Sequence, residues 1–310
     1  MAEIRSSGSA ASEAGDILTD EPGRIKAGLY IIATPIGNLG DITKRSLDTL
    51  KAVDLIACED TRITGKLLNA FLIKKPMIAY HEHSASGRLP QLLQMITEGK
   101  SVALVSDAGT PLISDPGYRL VEAAAKQDLH ITTLPGASAV ISALTLAGLP
   151  TNRFLFMGFA PTKTKARQDW FAAEDNTAAT LVYYESAKRL AGSLTDAYGV
   201  LGDRQAAVCR ELSKKFEQTV RGDLATLAAR YHAEGPPKGE IVVVIAPSAQ
   251  EKTATSKFAL DTAKILELAL QHMTVKSAAA FVAEITGERK KAMYQQALDI
   301  SAANKLMPPD

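Results

Sequence analysis

Three short segments of this chain combine residue types that let a main chain come close to a bound molecule, and each follows directly on a run of apolar residues. The first is Thr34-Pro35-Ile36-Gly37-Asn38-Leu39-Gly40-Asp41. Its glycine spacing is not G-x-G-x-x-G, so the dinucleotide fingerprint is absent and a dehydrogenase is the least favoured reading. The second, Ser106 to Gly117, holds two Ser-Asp-x-Gly units eight residues apart, stiffened by Pro111 and Pro116. A long rigid loop straight after a strand suits binding or catalysis, although each Asp could instead close its own Asx turn. The third, Pro135-Gly136-Ala137-Ser138-Ala139, begins a helix with small residues and leaves N–H groups free for a polar ligand atom. Glu59-Asp60 ends a fourth apolar run. A carboxylate there is placed to hold a ribose hydroxyl, and Asp60 equally suits a helix N-cap.

Further along, Tyr183-Tyr184-Glu185-Ser186, Arg210-Glu211-Leu212-Ser213-Lys214 and Lys238-Gly239-Glu240 put charges at strand ends. One such cluster reads as surface charge. Three in one half of the chain suggest a rim that faces a substrate. Arg289-Lys290-Lys291 is a compact basic run, either a solvated helix face or a contact for an anionic polymer. His81 and His83 are spaced i, i+2 with no further ligand nearby, so no metal is expected.

These segments need elements to hold them in place. Strands are predicted at 29–34, 54–58, 77–80, 102–105 and 131–134, with amphipathic helices between them and a small-residue helix over about 137–147. Strict βαβα alternation predicts a mostly parallel sheet with helices on both faces. After the break at Gly148-Leu149-Pro150, further strands are predicted at 154–159, 180–184, 206–210, 216–220 and 240–246. Residues 216–221 alternate like a half-exposed antiparallel strand, so this second sheet is predicted to be mixed. Beyond Pro247 a polar linker leads to a helix–turn–helix around Gly287. The expected organisation is a mobile tail over 1–26, an α/β domain over 27–150, a second over 151–248 and a helical region over 249–310.

Composition agrees with that plan. A chain of 310 residues suits two domains and a small third. Hydrophobic residues at 46% and charged residues at 22% exclude a disordered or fibrous chain. The formal charge is only +1, so any surface that attracts nucleic acid must be local. Cys58 and Cys209 lie far apart in apolar runs, which excludes a disulfide scaffold and suits a reducing cytoplasm. No apolar stretch approaches the ~18 residues of a membrane span, and no hydrophobic signal core is visible. A cytoplasmic location is expected.

Taken together, Thr34–Asp41, Glu59-Asp60-Thr61-Arg62, Ser106–Gly117, Tyr184-Glu185-Ser186 with Arg189, Arg210-Glu211 and Lys238-Gly239-Glu240 resemble the tetrapyrrole-methylase family. That family uses S-adenosylmethionine on a fold distinct from the commoner Rossmann-like methyltransferases. The similarity runs from about Leu29 to Ala246 and looks most like the branch that methylates ribosomal RNA, whose small helical appendage the C-terminal region resembles. The Ser106–Gly117 string is its most specific part. Gly136-Ala137-Ser138 departs from the Gly-Pro common in the family.

The resemblance implies two α/β domains with S-adenosylmethionine folded into the cleft between them, and a homodimer. It also implies 2′-O-methylation of a decoding-centre cytidine in the 16S rRNA of the small ribosomal subunit. On that basis Pro35, Gly37, Asp107, Gly109, Thr110 and Ser138 are assigned to the cofactor, and Asp60 or Glu59 to the ribose or the incoming substrate. Glu185 and Lys214 become candidates for the base or the substrate-orienting group, with lysine usable as a base only if its pKa is lowered. Arg62, Arg189, Arg210, Lys238, Arg289 and Lys290 become candidate RNA contacts. Two rivals stay open. A precorrin-type C-methyltransferase would leave the helical appendage unexplained, and a non-catalytic RNA-binding ribosome-assembly factor would keep the cleft without the reaction.

Overall fold

Five short apolar runs form a wholly parallel sheet in the order β3-β2-β4-β1-β5: β1 (Gly28–Ile32), β2 (Leu55–Cys58), β3 (Met77–Ala79), β4 (Ser101–Val105) and β5 (Ile131–Leu134). The structure is a computed structural model that describes residues 25–81, 85–248 and 262–305. All but the last two residues of the predicted N-terminal tail, His83 and most of the predicted linker lie outside the described residues; Ile25 is buried with Tyr30 and Ile32.

Every residue of β2 and β4 is buried, as a sheet covered on both faces requires. On one face α1 (Lys44–Ala52) and α2 (Thr61–Ala70) bring Leu50 and Leu68 against Ile56 and Ala103. On the other, α3 (Ala85–Thr97) and α4 (Tyr118–Lys126) bring Leu92, Ile96 and Leu120 against Val102 and Leu104. The chain thus leaves β1 toward one face and its neighbour β4 toward the other. That reversal between neighbouring strands marks the carboxyl edge beside β1 and β4, the usual ligand position in such sheets.

The second sheet is mixed, in the order β6-β7-β10-β8-β9: β6 (Phe154–Phe159), β7 (Thr180–Ser186), β8 (Gln205–Arg210), β9 (Gln218–Asp223) and β10 (Glu240–Ile245). Only β6 and β7 run parallel. One face is covered by α6 (Thr164–Ala172), α7 (Leu190–Leu201) and α8 (Leu224–Glu234). The other carries α5 (Ala139–Ala147), which chain order assigns to the end of the first series. Its Val140, Ala143 and Leu144 pack instead on Val182, Ala207, Val242 and Val244 of the second sheet. Small apolar side chains around most of its circumference let α5 lie close against that face. Its N-terminus therefore sits at the first sheet's loops and its body on the second sheet.

The chain divides between residues 249 and 250 into two compact units. The second holds α9 (Thr262–His272), α10 (Val275–Thr286) and α11 (Lys290–Lys305), with a core of Leu266, Ala279, Val282, Met293 and Ala297. Thr274 caps α10 by accepting the Ser277 N–H, and Gly287 ends it in the left-handed conformation. Helix α9 precedes the predicted pair. Among the described residues no helix is long and apolar enough to cross a membrane.

Candidate functional site

The three loops singled out in the sequence meet at Gly109. Thr34 and Gly109 exchange both backbone hydrogen bonds, at 2.9 and 3.0 Å. The Thr34 hydroxyl donates to the Ser106 carbonyl (3.1 Å), and the Ser106 hydroxyl donates to the Gly109 carbonyl (3.2 Å). Thr110 donates to the Ala137 carbonyl at 3.2 Å, which joins the third loop to the second. Gly109 has φ +82°, a conformation that strongly favours glycine, and a Cβ there would meet Ile36 at 3.4 Å. Ser138 begins α5 without a side-chain cap, so the first N–H groups of that helix have no partner from that side chain.

Glu59-Asp60 joins the same place, because the Asp107 carboxylate accepts the Asp60 backbone N–H at 3.0 Å. The capping reading of Asp60 is the one the structure takes. Its side chain accepts the Arg62 N–H at 2.8 Å and pairs with the Arg62 guanidinium at 2.5 Å. Those bonds hold its carboxyl down at about 2 and occupy the Arg62 charge. Its neighbours behave oppositely. Burial raises the carboxyls of Glu59 and Asp107, which also repel each other. Burial and then Glu59 push Asp115 up to about 6, with the nearby Ser106 hydroxyl acting the other way. The crevice thus concentrates negative charge in poorly solvated surroundings, the complement of a small cation.

A second-half loop closes over the first. The stem of Lys214 lies across Gly37, where a Cβ would collide with it. Lys214 Nζ donates to Glu211 Oε1 and to Glu240 Oε2, both at 2.9 Å. Burial pulls its pKa down, but the bonds to Glu240 and Glu211 outweigh that and leave it raised. Lys214 is therefore an ammonium with both partners in place, unsuited to act as a base. Ser213 also donates to the Asp41 carboxylate. Leu112, Ser114, Glu211 and Ser213 all have positive φ, four of the six such non-glycine residues among those described. At about 1–2 kcal/mol each, these conformations persist only because surrounding contacts hold the two loops. Between the first loop, α5 and the 211–217 loop lies a cavity of about 490 Å³ lined by Ile36, Asp41, Ala137, Ser142, Thr145, Leu146, Ser213 and Glu217. Its volume suits a small-molecule ligand.

Glu185 does not face this crevice. Strand alternation puts it on the side of Tyr183 and opposite Ile241, under α7, whereas Tyr184 shares the α5 side with Val182. The Glu185 carboxylate is buried, pairs with Arg189 at 2.7 Å and accepts the Ser186 N–H at 2.6 Å. Arg189 also donates to Ser186 Oγ and the Ala160 carbonyl. Arg210 donates to Gln218 and to the carbonyl of Lys238. Arg289 and Lys290 are exposed at the start of α11, in the other unit. Among the described residues no three His, Cys, Asp or Glu side chains are grouped as a metal site needs.

Two residues not singled out individually belong to the crevice, Asp115 and Tyr184. Burial, then the nearby carboxylates of Asp115 and Glu240, push the Tyr184 phenol up to about 12. Asp115 is the aspartate of the second Ser-Asp-x-Gly unit. The alternation of Tyr183, Tyr184 and Glu185 already separates the side chains that can share a face.

The chain matches the tetrapyrrole (corrin/porphyrin) methylase family over residues 28–228 and the RsmI C-terminal HTH domain over residues 257–301. It is 45% identical over 286 residues to the ribosomal RNA small subunit methyltransferase I of Mesorhizobium japonicum, covering 91% of this chain and 95% of that one. The protein of the same name from Synechocystis sp. is 44% identical over 275 residues, covering 88% and 98%. Among solved structures, a diphthine synthase superposes with a TM-score of 0.51 at 15% identity, over 70% of this chain and 89% of that one. The uroporphyrin-III-C-methyltransferase from Thermus thermophilus superposes with a TM-score of 0.50 at 19% identity, over 70% and 94%. At such identities these likenesses speak for the fold alone.

Proposed function

The chain belongs to the tetrapyrrole (corrin/porphyrin) methylase family, and from that premise we propose that it moves a methyl group from S-adenosylmethionine to a cytidine ribose 2′-hydroxyl in the decoding centre of 16S rRNA. One observation carries the reading. The helical module named for the rRNA methyltransferases follows the methylase domain on the same chain, and a tetrapyrrole enzyme has no task for it. The same reading puts the protein in the cytoplasm as a homodimer, with the small ribosomal subunit as substrate.

The residues present fit the cofactor. Gly37 and Gly109 let the loops converge without a Cβ in the way, a cavity of ligand size lies between the first loop and α5, and Glu59, Asp107 and Asp115 on the adjoining loops supply the field a cation needs. When bound, S-adenosylmethionine supplies a sulfonium methyl already activated for in-line displacement. Pro35, Gly37, Asp107, Gly109, Thr110 and Ser138 would hold it in this reading, and fixing its orientation against the substrate hydroxyl would supply much of the rate. Lys214 acts by position: its ammonium is locked to Glu211 and Glu240, and its stem seats the first loop. Asp115, pushed up to about 6 and ionised at neutral pH, takes the hydroxyl proton in this reading as the new O–C bond forms and the oxygen turns acidic. Arg289 and Lys290, with Arg210 and Lys238, neutralise RNA phosphates.

The test is transfer of labelled methyl from S-adenosylmethionine to purified small ribosomal subunits, with the product nucleoside identified by mass. A 2′-O-methylcytidine is expected. Transfer to a tetrapyrrole instead, or to nothing, overturns the reading.

A further inference from the structure

An aromatic ring on a strand normally faces a core, yet Phe159 at the end of β6 is 63% exposed. The pairing of β6 with β7 shifts register between Phe156 and Phe159, a local bulge of the kind that re-aims a side chain. Phe159 still lies 5.1 Å from the Tyr184 ring in an edge-to-face arrangement, and Phe156 lies 4.9 Å from the same ring in a similar one. The tip of the second loop reaches the same spot, since a Cβ on Gly158 would lie 3.8 Å from the Ser114 hydroxyl oxygen. Phe159 is therefore beside both Tyr184 and the loop that carries Asp115.

Carboxylates lie on the Tyr184 side of the ring, and basic residues follow it in the chain. Arg189 donates to the carbonyl of Ala160, immediately after Phe159, but its charge is met by Glu185, and that of Lys165 by Asp169. Lys163, four residues on from Phe159 at the start of α6, and Lys188, next to Arg189, are both exposed. An exposed ring face flanked by cations is the pattern that holds an unstacked nucleotide: the base stacks, and the phosphates beside it are neutralised. A ribose hydroxyl reaches a crevice of this kind only if its nucleotide leaves the helical stack, and the base then loses its former neighbours.

We propose that Phe159 is the stacking platform for the base of the nucleotide being methylated, with Lys163 and Lys188 attending its phosphates. Phe159 is a positioning residue, and the inference rests on the RNA-methylation reading above.

The test compares wild type with Phe159→Ala, Phe159→Leu and Phe159→Trp on purified small subunits, alongside calorimetry with S-adenosylmethionine, melting temperature and oligomeric state. Phe159→Ala and Phe159→Leu are expected to lower kcat/KM for subunits about tenfold or more. Phe159→Trp should restore it, because the π face matters and not bulk alone. Cofactor affinity and melting temperature should stay unchanged in all three, since the ring is outside the core. Wild-type rates in Phe159→Ala, equal rescue by leucine, or a shifted oligomeric state that accounts for the loss would each overturn the proposal. Absence of subunit methylation by the wild type would sink the RNA reading and this inference together; an active wild type matched by Phe159→Ala sinks this inference alone.

Discussion

The crevice at the parallel sheet gathers like charges, whereas the strand ends of the mixed sheet pair opposite ones. Glu59, Asp107 and Asp115 crowd together and are each shifted upward by burial. Across from them, Glu185 is paired with Arg189 through Oε1, although its buried Oε2 has no hydrogen bond among the described residues, and Lys214 is paired with Glu211 and Glu240. Opposite charges that satisfy each other leave little for a ligand, while carboxylates held against their mutual repulsion stabilise whatever cation arrives. Charge density alone thus does not mark a site; the unmet part of it does.

The sharpest way to break this contrast is to remove one carboxylate from each side. Asp115→Asn should lower kcat by about 10²–10⁴-fold, the usual contribution of a proton acceptor, without loss of melting temperature. Next in size, Gly109→Val forces a branched residue into a left-handed backbone and should weaken S-adenosylmethionine binding about 100-fold by calorimetry. An unchanged affinity would return the loop junction to a merely connecting role.

The pH response is smaller. The folded protein holds a proton on Asp115 between the ordinary carboxylate value of 3.8 and about 6 that the unfolded chain has lost. Stability of the cofactor-free protein should therefore fall as pH rises through that window. Cofactor affinity should rise through the same window, by at most about tenfold per pH unit, because a bound cation favours the ionised carboxylate. Melting curves and calorimetry from pH 4.5 to 7 check both, and Asp115→Asn should flatten the Asp115 part of each trend. The smallest change in activity belongs to Glu185→Gln, which should cost about 2 kcal/mol of stability yet leave kcat within about threefold. A large loss of kcat with an unmoved melting temperature would put Glu185 back at the chemistry.

Much of this architecture was legible from local signals. The buried runs of β1, β2 and β4 read as strands because a sheet covered on both faces needs uninterrupted apolar residues. Helix starts at Thr43, Asp60 and Thr274 follow from side chains that accept an N–H two or three residues ahead. The doubled Ser-Asp-x-Gly loop declared itself by stiffness and position. That Glu185 shares the Tyr183 side of β7 follows from the alternation of Tyr183, Tyr184 and Glu185, which its charge alone does not show. Phe159 gave no signal, since an aromatic near a strand end ordinarily means core.

The amino-acid order by itself determined the two α/β series, the parallel and mixed character of their sheets and the glycine-bearing loops that follow their strands. Those properties depend on residues within a few positions of one another. Only the tertiary structure decided that α5 lies on the second sheet, that Lys214 crosses Gly37, and that Asp115 comes near Tyr184. Each joins segments tens to well over a hundred residues apart. Such meetings are set by how whole elements pack and by which charges find a partner, which no local spacing encodes.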